Sequence, residues 1–239
     1  MSGPVAARGD DAVESPRRAA LTLDRILATA IALADETGYD ALSMRPLAER
    51  LDVVPMALYK HVRNRDELVD RMVDAVLASI SPDVEPGTHW KAAARRRVLA
   101  ARGVMLRHPW MWRAIETRTS PSPVVLDQQE AMIRTLREGG LSVALVHHAM
   151  HALGSRLWGF TQEVYASAPP PTDPQALAAA AAMLAQRWPY VLESAASVMH
   201  DSDSIVGPGC DDETEFEFAL DLILDGIERL HETGWSPSR

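Results

Sequence analysis

Two short helix-forming segments separated by only three residues constrain the fold more than any other feature of the chain. Leu47 and Leu51 give the first segment an apolar face, residues 52–54 form the turn, and the second segment opens at Pro55. A connection this short does not let two helices run antiparallel, so they must cross at a steep angle. The stretch 43–65 therefore predicts a helix-turn-helix unit.

A further helix is predicted before this unit, between the cap candidates Thr22 and Gly38. Its apolar residues recur at helical spacing. Ser43 is expected to cap the next helix, in whose first turn Pro46 is tolerated because the amides there lack intrahelical partners. Three short helices thus predict a compact N-terminal domain over residues 21–67.

The net charge of the chain, −9, taken alone argues against a nucleic-acid partner. The charge is unevenly distributed, however. Residues 1–72 contain ten Lys/Arg and twelve Asp/Glu, whereas residues 73–239 contain fourteen and twenty-one. Between Arg45 and Arg65 five basic residues face only two acidic ones. A phosphate backbone would meet this local positive charge rather than the net charge of the whole chain.

The last helix of the unit is predicted to pack through Leu58 and Val62, which lie four residues apart. On its outward face this leaves Met56, Ala57, Tyr59, Lys60 and His61. The hydroxyl, imidazole and ammonium groups among them can donate to phosphate oxygens, and the apolar pair at the start can touch thymine methyl groups. As alternatives, Tyr59 can be a partly buried packing residue and His61 a helix cap.

Three motifs in this region lie at the spacing of a known family. They are Gly38 before an aromatic residue, Leu-Ala-x-x-Leu at 47–51 and Leu-Tyr-x-His-Val at 58–62. Through them the run 26–69 resembles the DNA-binding domain of the tetracycline-repressor (TetR) family. The resemblance implies DNA contacts at Arg45, Pro55, Met56, Ala57, Tyr59, Lys60, His61 and Arg65. Because the third helix lacks Gln, Asn or Arg in its first turn, most hydrogen-bonded reading of bases is expected to fall to Arg45.

The fourth predicted helix runs from about Arg65 to Ser79, with apolar residues at every fourth position. Two prolines and one glycine in 81–89 then mark a domain boundary. The predicted order is a mobile arm, a helix-turn-helix DNA-binding domain, a connecting helix and a helical effector-binding and dimerisation domain, over residues 1–20, 21–67, 68–81 and 82–239.

The remainder of the chain has helical patterns throughout, so the predicted fold class is all-α. Helices are predicted over residues 90–108, 123–139, 141–166, 175–187 and 213–232. The third and the last of these can pair with their copies as a four-helix bundle, which predicts a homodimer. Residues 135–160 are similar to a tetracycline-repressor-type C-terminal domain. The basic run 95–97 is interpreted as a solvated face.

The resemblance also implies that a small molecule bound in the C-terminal domain releases the protein from DNA. Six tryptophans and ten methionines supply large apolar side chains, so a largely apolar effector is expected in a cavity among the helices. Ligand contacts are predicted at Met105, Trp110, Trp112, His147, His151 and Trp158. Each tryptophan and Met105 can equally be ordinary core.

A histidine cluster, His147, His148 and His151, is the one constellation that could carry chemistry. Two of its members share a helix face at metal-ligand spacing, yet no nearby Asp or Glu completes a site. The histidines are interpreted as structural or dimer-interface residues, with ligand contact and metal binding as alternatives. No Gly-rich phosphate loop, Gly-x-Ser-x-Gly elbow or His-Glu-x-x-His motif occurs, so neither an enzyme activity nor a cofactor is predicted.

The compartment and the overall function follow from the same sequence. A single cysteine, Cys210, excludes an intramolecular disulfide. No apolar run approaches the roughly 20 residues that cross a bilayer, and the first residues do not form a signal peptide, so a cytoplasmic protein without a membrane partner is expected. The predicted function is a ligand-responsive repressor that binds a palindromic operator as a homodimer. A metal-dependent enzyme and a dimerisation scaffold without DNA binding are the alternatives.

Overall fold

A computed structural model describes residues 20–118, 120–159, 173–197 and 212–237. All regular elements in these ranges are α-helices, which confirms the all-α fold class. In chain order they are α1 (Leu23–Thr37), α2 (Met44–Leu51), α3 (Pro55–Leu58), α4 (Arg65–Ala78), α5 (Trp90–Arg107), α6 (Met111–Glu116), α7 (Pro123–Glu138), α8 (Val143–Gly159), α9 (Pro174–Arg187), α10 (Pro189–Ser197) and α11 (Asp212–Glu232).

The first compact unit of the chain ends at Met72, within α4. In this unit α1 packs against α2, and α2 packs against α3. Its fully buried side chains are Ile26, Ala30, Leu47, Leu58, Leu68 and Met72. Helices as short as α2 and α3 are unstable alone. Burial of each Leu or Ile contributes roughly 1.5–3 kcal/mol relative to exposure, so the shared core holds these helices in place.

The caps of the first two helices are partly as predicted. The Thr22 hydroxyl accepts a hydrogen bond from the Arg25 amide at 3.2 Å, and Gly38 ends α1 with a φ of 83°, so both predictions are confirmed. Ser43 does occupy the position before α2, but its hydroxyl makes no capping hydrogen bond. The predicted position of the cap is therefore confirmed, but the expected capping hydrogen bond is absent.

The turn between α2 and α3 depends on a left-handed residue. Asp52 has φ 55° and ψ 48°, a conformation that its short polar side chain tolerates better than a branched apolar one would. The Val53 amide then donates to the Ala48 carbonyl at 3.0 Å. Helix α3 is shorter than predicted: after Leu58 the chain continues as a turn in which the Val62 amide donates to the Leu58 carbonyl at 3.1 Å.

The second compact unit starts at Val73 and contains helices α5 to α11. Its core forms where α5, α7, α8 and α11 pack together. The larger buried side chains in this core are Trp90, Leu136, Leu141, Leu145, Phe216, Leu220 and Leu224. Gly139 allows the close approach of two elements, because a Cβ atom there would lie 2.4 Å from the Cβ of Trp90.

The structure corrects the interpretation of the basic run 95–97. Arg95 pairs with Glu217 and Asp221 on α11, at 2.7 Å in each case, rather than facing solvent. Arg97 is half-buried, and its Nε donates to the Thr135 hydroxyl at 2.9 Å. Only the middle arginine of the run is exposed. The ion pairs with α11 depend on residues more than 120 positions away, which local patterning does not reveal.

Several expectations differ from the observed helices or lie beyond the described residues. Helices α6 and α10 were not predicted, since both are short and lack a long apolar period. Helix α8 is described as far as Gly159, whereas its predicted extension continues to 166. The predicted mobile arm, except residue 20, and Cys210 lie outside the described ranges. None of the described helices is long and apolar enough to cross a membrane.

Candidate DNA-binding surface and ligand cavity

The outward face of α3 and the turn after it is held on a fully buried anchor. Leu58 is 0% exposed and Val62 is 2% exposed. Because these two side chains anchor the segment in the core, Met56 and Tyr59 lie on its outward face. Met56 and Tyr59 are exposed to 70% and 44%. The predicted orientation of the segment is thereby confirmed.

The remaining predicted contact residues differ in exposure. Pro55 and Lys60 are exposed, while Ala57 and His61 are half-buried. In the described part of the chain, Lys60 makes no ion pair, so its ammonium group is available to another anion. Val54, directly before α3, is 68% exposed and was not predicted. Its position directly before Pro55, the first residue of α3, was the sequence signal for it.

Arg45 projects from the first turn of α2. Its side chain is 84% exposed, and its Nε lies 3.1 Å from the Glu49 carboxylate, which is itself 66% exposed. An exposed pair of this kind contributes about 0–1 kcal/mol. Arg45 can therefore exchange Glu49 for another acceptor at little cost.

Arg65 lies differently from the other predicted DNA contacts. Its guanidinium donates to the backbone carbonyls of Leu42 and Tyr39, at 2.8 Å each, and lies 4.5 Å from the centre of the Tyr39 ring. The residue is half-buried. These contacts tie the first turn of α4 to the loop between α1 and α2.

The start of α4 is held by a second set of charged contacts around Glu67. Its carboxylate accepts from the Arg63 backbone amide at 2.7 Å and from the Arg71 guanidinium at 2.7 Å. The hydrogen bond from the Arg63 amide, followed by those from the Arg63 and Arg71 side chains, lowers the pKa of Glu67 to about 2. The carboxylate is thus fixed in its ionised form at neutral pH.

The second unit contains a cavity of about 1190 Å³. Its wall is formed mainly by apolar side chains from α4 to α8, including Leu77, Val98, Met105, Met132 and Met150. This volume is somewhat above the roughly 300–1,000 Å³ of typical small-molecule sites. The polar side chains in the described wall are Arg97, Arg118, Ser120, Gln128, Gln129, Arg137, His147, His151 and Ser155.

Three of the six residues predicted to contact a ligand lie in this wall, namely Met105, His147 and His151. Trp110 is buried and Trp112 is half-buried, and neither is among the described wall residues. The side chain of Trp158 lies outside the described structure.

The arginines of the wall were missed, although one of them had a sequence signal. Arg97, Ala101 and Met105 follow one another at four-residue steps on α5, and all three line the cavity. Because Met105 was predicted to contact the ligand, the same helical spacing would have included Arg97. Arg118 and Arg137 carried no comparable signal.

Polar contacts join the end of α4 to the segment around the cavity. Asp74 accepts from the Arg118 guanidinium at 3.1 Å and from the Ser122 hydroxyl at 2.6 Å. The Gln128 side chain donates to the Leu77 carbonyl at 3.1 Å. Arg118 and Gln128 are both wall residues. A ligand that displaces either side chain would therefore act directly on α4.

The histidine cluster forms a set of ring contacts on α8. The centre of the His147 ring lies 5.3 Å from that of His148 and 4.8 Å from that of His151. Among the residues that the structure describes, no group of three His, Cys, Asp or Glu side chains is arranged to hold a metal ion. The alternative of a metal-dependent enzyme built on these histidines has no ligand geometry to support it there.

An exposed apolar stripe follows α11. Phe218, Leu222 and Leu230 are 62%, 57% and 37% exposed, and with Gly226 they lie at four-residue steps. Helix α8 contacts α11 and has small exposed residues such as Ala152 and Ser155. An exposed apolar stripe on a long helix is suited to packing against another helix.

Comparisons with known proteins match both units of the chain. Residues 26–72 match the family described as "Bacterial regulatory proteins, tetR family", and residues 81–231 match "Tetracyclin repressor-like, C-terminal domain". The HTH-type transcriptional repressor DrrR1 of Streptomyces coeruleorubidus is 29% identical over 227 residues, which cover 88% of this chain and 78% of that protein. A transcriptional regulator of Saccharopolyspora erythraea is 33% identical over 146 residues, covering 61% and 62%.

Two solved structures are similar to this chain in both sequence and fold. The apo form of ActR from Streptomyces coelicolor is 28% identical, with a TM-score of 0.66 over 91% of this chain and 99% of that one. The complex of ActR with actinorhodin is 26% identical, with a TM-score of 0.61 over 88% and 98%. Regulators of this family are generally DNA-binding proteins without enzyme activity. The chain belongs to the TetR family of ligand-responsive, DNA-binding transcriptional regulators.

Proposed function

We propose that this chain represses transcription as a homodimer whose two α3 segments enter successive major grooves of a near-palindromic operator. The observation that carries the proposal is the outward face of α3 and the turn after it, where Met56, Tyr59 and Lys60 project from the buried anchor of Leu58. Two-fold dimers of helix-turn-helix proteins place these segments roughly 34–36 Å apart, about one turn of DNA. Because a repressor acts where its operator DNA lies, the proposal includes a cytoplasmic location.

The contact residues divide by chemistry into those that position the protein and those that read bases. Tyr59, Lys60 and His61 donate to phosphate oxygens, which fixes orientation without reading sequence. Met56 and Ala57 meet thymine methyl groups, with Val54 beside them and Pro55 fixing the start of the segment.

The two predicted arginine contacts have different roles in this proposal. Arg45 leaves its exposed pair with Glu49 and donates to a base edge, where bidentate contacts to guanine are favoured. Arg65 acts mainly by positioning, because its guanidinium is already engaged by the Leu42 and Tyr39 carbonyls. It holds α4 against the loop that leads into α2 and so orients the reading segment.

Dimerisation is assigned to α8 and α11 together. The stripe of Phe218, Leu222, Gly226 and Leu230 packs against its copy, with the small exposed residues of α8 beside it. Burial of exposed apolar surface supplies the driving force, at roughly 25 cal/mol per Å². The family supports this assignment, since its repressors bind their operators as dimers.

Release from DNA is assigned to the cavity. A small molecule that occupies the cavity rearranges Arg118 and Gln128, which hold the last turns of α4 through Asp74 and the Leu77 carbonyl. Because α4 begins in the DNA-binding unit, its displacement changes the separation of the two reading segments. Effector binding and operator binding then oppose each other through one coupling free energy.

Selection of bound sequences from random DNA, followed by a salt titration, tests the DNA-binding part of the proposal. The expected result is a two-fold symmetric motif whose half-sites lie one helical turn apart, with an affinity that falls steeply with salt. Recovery of no motif, or of an asymmetric site bound by one chain, would contradict it. A scaffold protein would show neither a motif nor a salt slope.

A further inference from the structure

The charges on the wall of the cavity are unbalanced. Of the 239 residues of the chain, 33 are Asp or Glu, yet none of the described wall residues is acidic. The same wall contains three arginines, Arg97, Arg118 and Arg137. An acidic protein thus contains a cavity whose described wall has arginines but no carboxylates.

Two of these arginines have neutral partners. Arg97 donates through Nε to the Thr135 hydroxyl, and Arg137 donates to the Leu141 carbonyl. Within the described residues neither guanidinium forms an ion pair with a carboxylate. Arg118 is paired with Asp74, but its side chain is only 12% exposed, so its charge is largely removed from water. The positive charges of Arg97 and Arg137 are therefore not neutralised by a carboxylate of the described residues.

An ionised acid group is the ligand feature that this charge favours. Guanidinium groups form strong hydrogen bonds with carboxylates, sulfonates and phenolates, and the interaction is stronger where water is partly excluded. A cationic ligand would be repelled by the same groups. The rest of the wall is apolar and includes three methionines, whose flexible side chains adapt to the shape of a large hydrophobic body.

We propose that the effector of this protein is an organic anion: a large, mostly apolar molecule that carries at least one ionised acid group held by arginines of the wall, with Arg97 as the main contact. The inference rests on the proposed ligand-binding role of the cavity and adds the chemical class of the ligand. Contact of the acid group with Arg118 would compete with Asp74 for the same guanidinium. In that case one guanidinium, that of Arg118, would both contact the effector and hold α4.

Two fluorescent probes of nearly the same shape test this class on the full-length protein. 1-Anilinonaphthalene-8-sulfonate carries a sulfonate, and N-phenyl-1-naphthylamine is its neutral counterpart. Because one charge-assisted hydrogen bond changes affinity by about tenfold or more, the anion is expected to bind at least about tenfold more tightly. Equal affinities, or tighter binding of the neutral probe, would overturn the proposal.

Variants locate the effect in the cavity. Arg97→Gln should lower the affinity for the anion by about tenfold and leave the neutral probe unchanged, while Arg97→Lys, which keeps the charge, should retain most of the preference. Arg96→Gln is the matched control, since Arg96 is the exposed neighbour on α5 whose guanidinium donates to the Asp83 carbonyl. An equal loss in Arg96→Gln would place the anion outside the cavity and overturn the assignment.

A second variant decides the matter if Arg97→Gln does not fold. Gln129→Glu adds a negative charge to the wall at an exposed side chain and should weaken only the anionic probe. Operator binding of the same preparation is measured separately. If the protein binds its operator but is released by a neutral compound, the proposed function stands and the inference of an anionic effector is wrong. If the protein does not bind an operator, the proposed function is wrong whatever the probes show.

Discussion

Arg118 on the wall of the cavity lies 3.1 Å from the carboxylate of Asp74 on α4. Their side chains are 12% and 29% exposed, so the pair is partly shielded from water and is stronger than a surface pair. Ser122 donates to the same carboxylate oxygen at 2.6 Å and fixes its orientation. The pair connects the wall of the cavity to α4 and, in the proposed mechanism, transmits effector binding to that helix.

Asp74→Asn should mimic the effector-bound state. Removal of the charge frees Arg118 from α4, so operator affinity is expected to fall by about tenfold in the absence of any effector, within the usual range of allosteric coupling. Gel-shift titration of the dimer measures the change. Glu130→Gln, which removes an exposed pair with Arg134 on α7, is the control and should have no effect. Unchanged operator affinity in Asp74→Asn would remove this pair from the coupling mechanism.

Lys60→Ala should weaken binding to all DNA sequences by a similar factor. Its exposed ammonium group is assigned to a phosphate, so the slope of log K against log salt should decrease by about 1 for each chain. Arg134→Ala removes an exposed cation from the second unit and should leave the slope unchanged. If Lys60→Ala altered sequence preference at an unchanged salt slope, the residue would be a base reader instead.

Arg65→Ala should lower the stability of the folded protein. The side chain provides two charged hydrogen bonds to the Tyr39 and Leu42 carbonyls, and their loss is expected to cost about 1–3 kcal/mol in the free energy of unfolding. Chemical denaturation followed by circular dichroism measures the loss. Lys60→Ala, at an exposed site, should leave the stability unchanged. An Arg65→Ala protein of normal stability but reduced operator affinity would show that Arg65 contacts DNA directly.

The double variant Phe218→Glu, Leu222→Glu should prevent dimerisation. Two carboxylates on each copy of the α11 stripe would have to be buried without partners, which costs several kcal/mol. Light scattering should then report the mass of one chain, 26.2 kDa, and operator binding should be lost. Leu126→Glu, at a half-exposed apolar residue of α7, is the matched control. Retention of the dimer in the double variant would place the interface elsewhere.

Glu67 should make the stability of the DNA-binding unit depend on acid pH. The pKa of Glu67 is lowered from 4.5 to about 2 in the folded state, so the ionised carboxylate contributes stability that is fully present above pH 4.5. This contribution is lost as the pH falls from 4.5 through 2. Glu67→Gln should therefore destabilise the protein at neutral pH, and its difference from the wild type should shrink over that range. A difference that is independent of pH would contradict the assignment.

The fold of the DNA-binding unit was largely predictable because its sequence signals are local. The cap at Thr22, the three-residue turn at 52–54 and the four-residue step from Leu58 to Val62 each depend on residues close in sequence, and the structure confirms all three. The long α11 was found for the same reason. The role of Arg65 was not visible, because its partners Tyr39 and Leu42 lie more than 20 positions earlier.

The sequence by itself determined an all-helical chain with a cationic reading segment near its start and two long amphipathic helices beyond it. Only the tertiary structure decided where the three consecutive arginines at 95–97 point. Arg95 pairs with α11, Arg96 is exposed, and Arg97 lines the cavity. Successive residues on a helix differ by about 100° in direction, so identical neighbours face different surroundings. Apart from the four-residue steps that relate Arg97 to Met105, the surroundings of each arginine depend on helices far away in the chain.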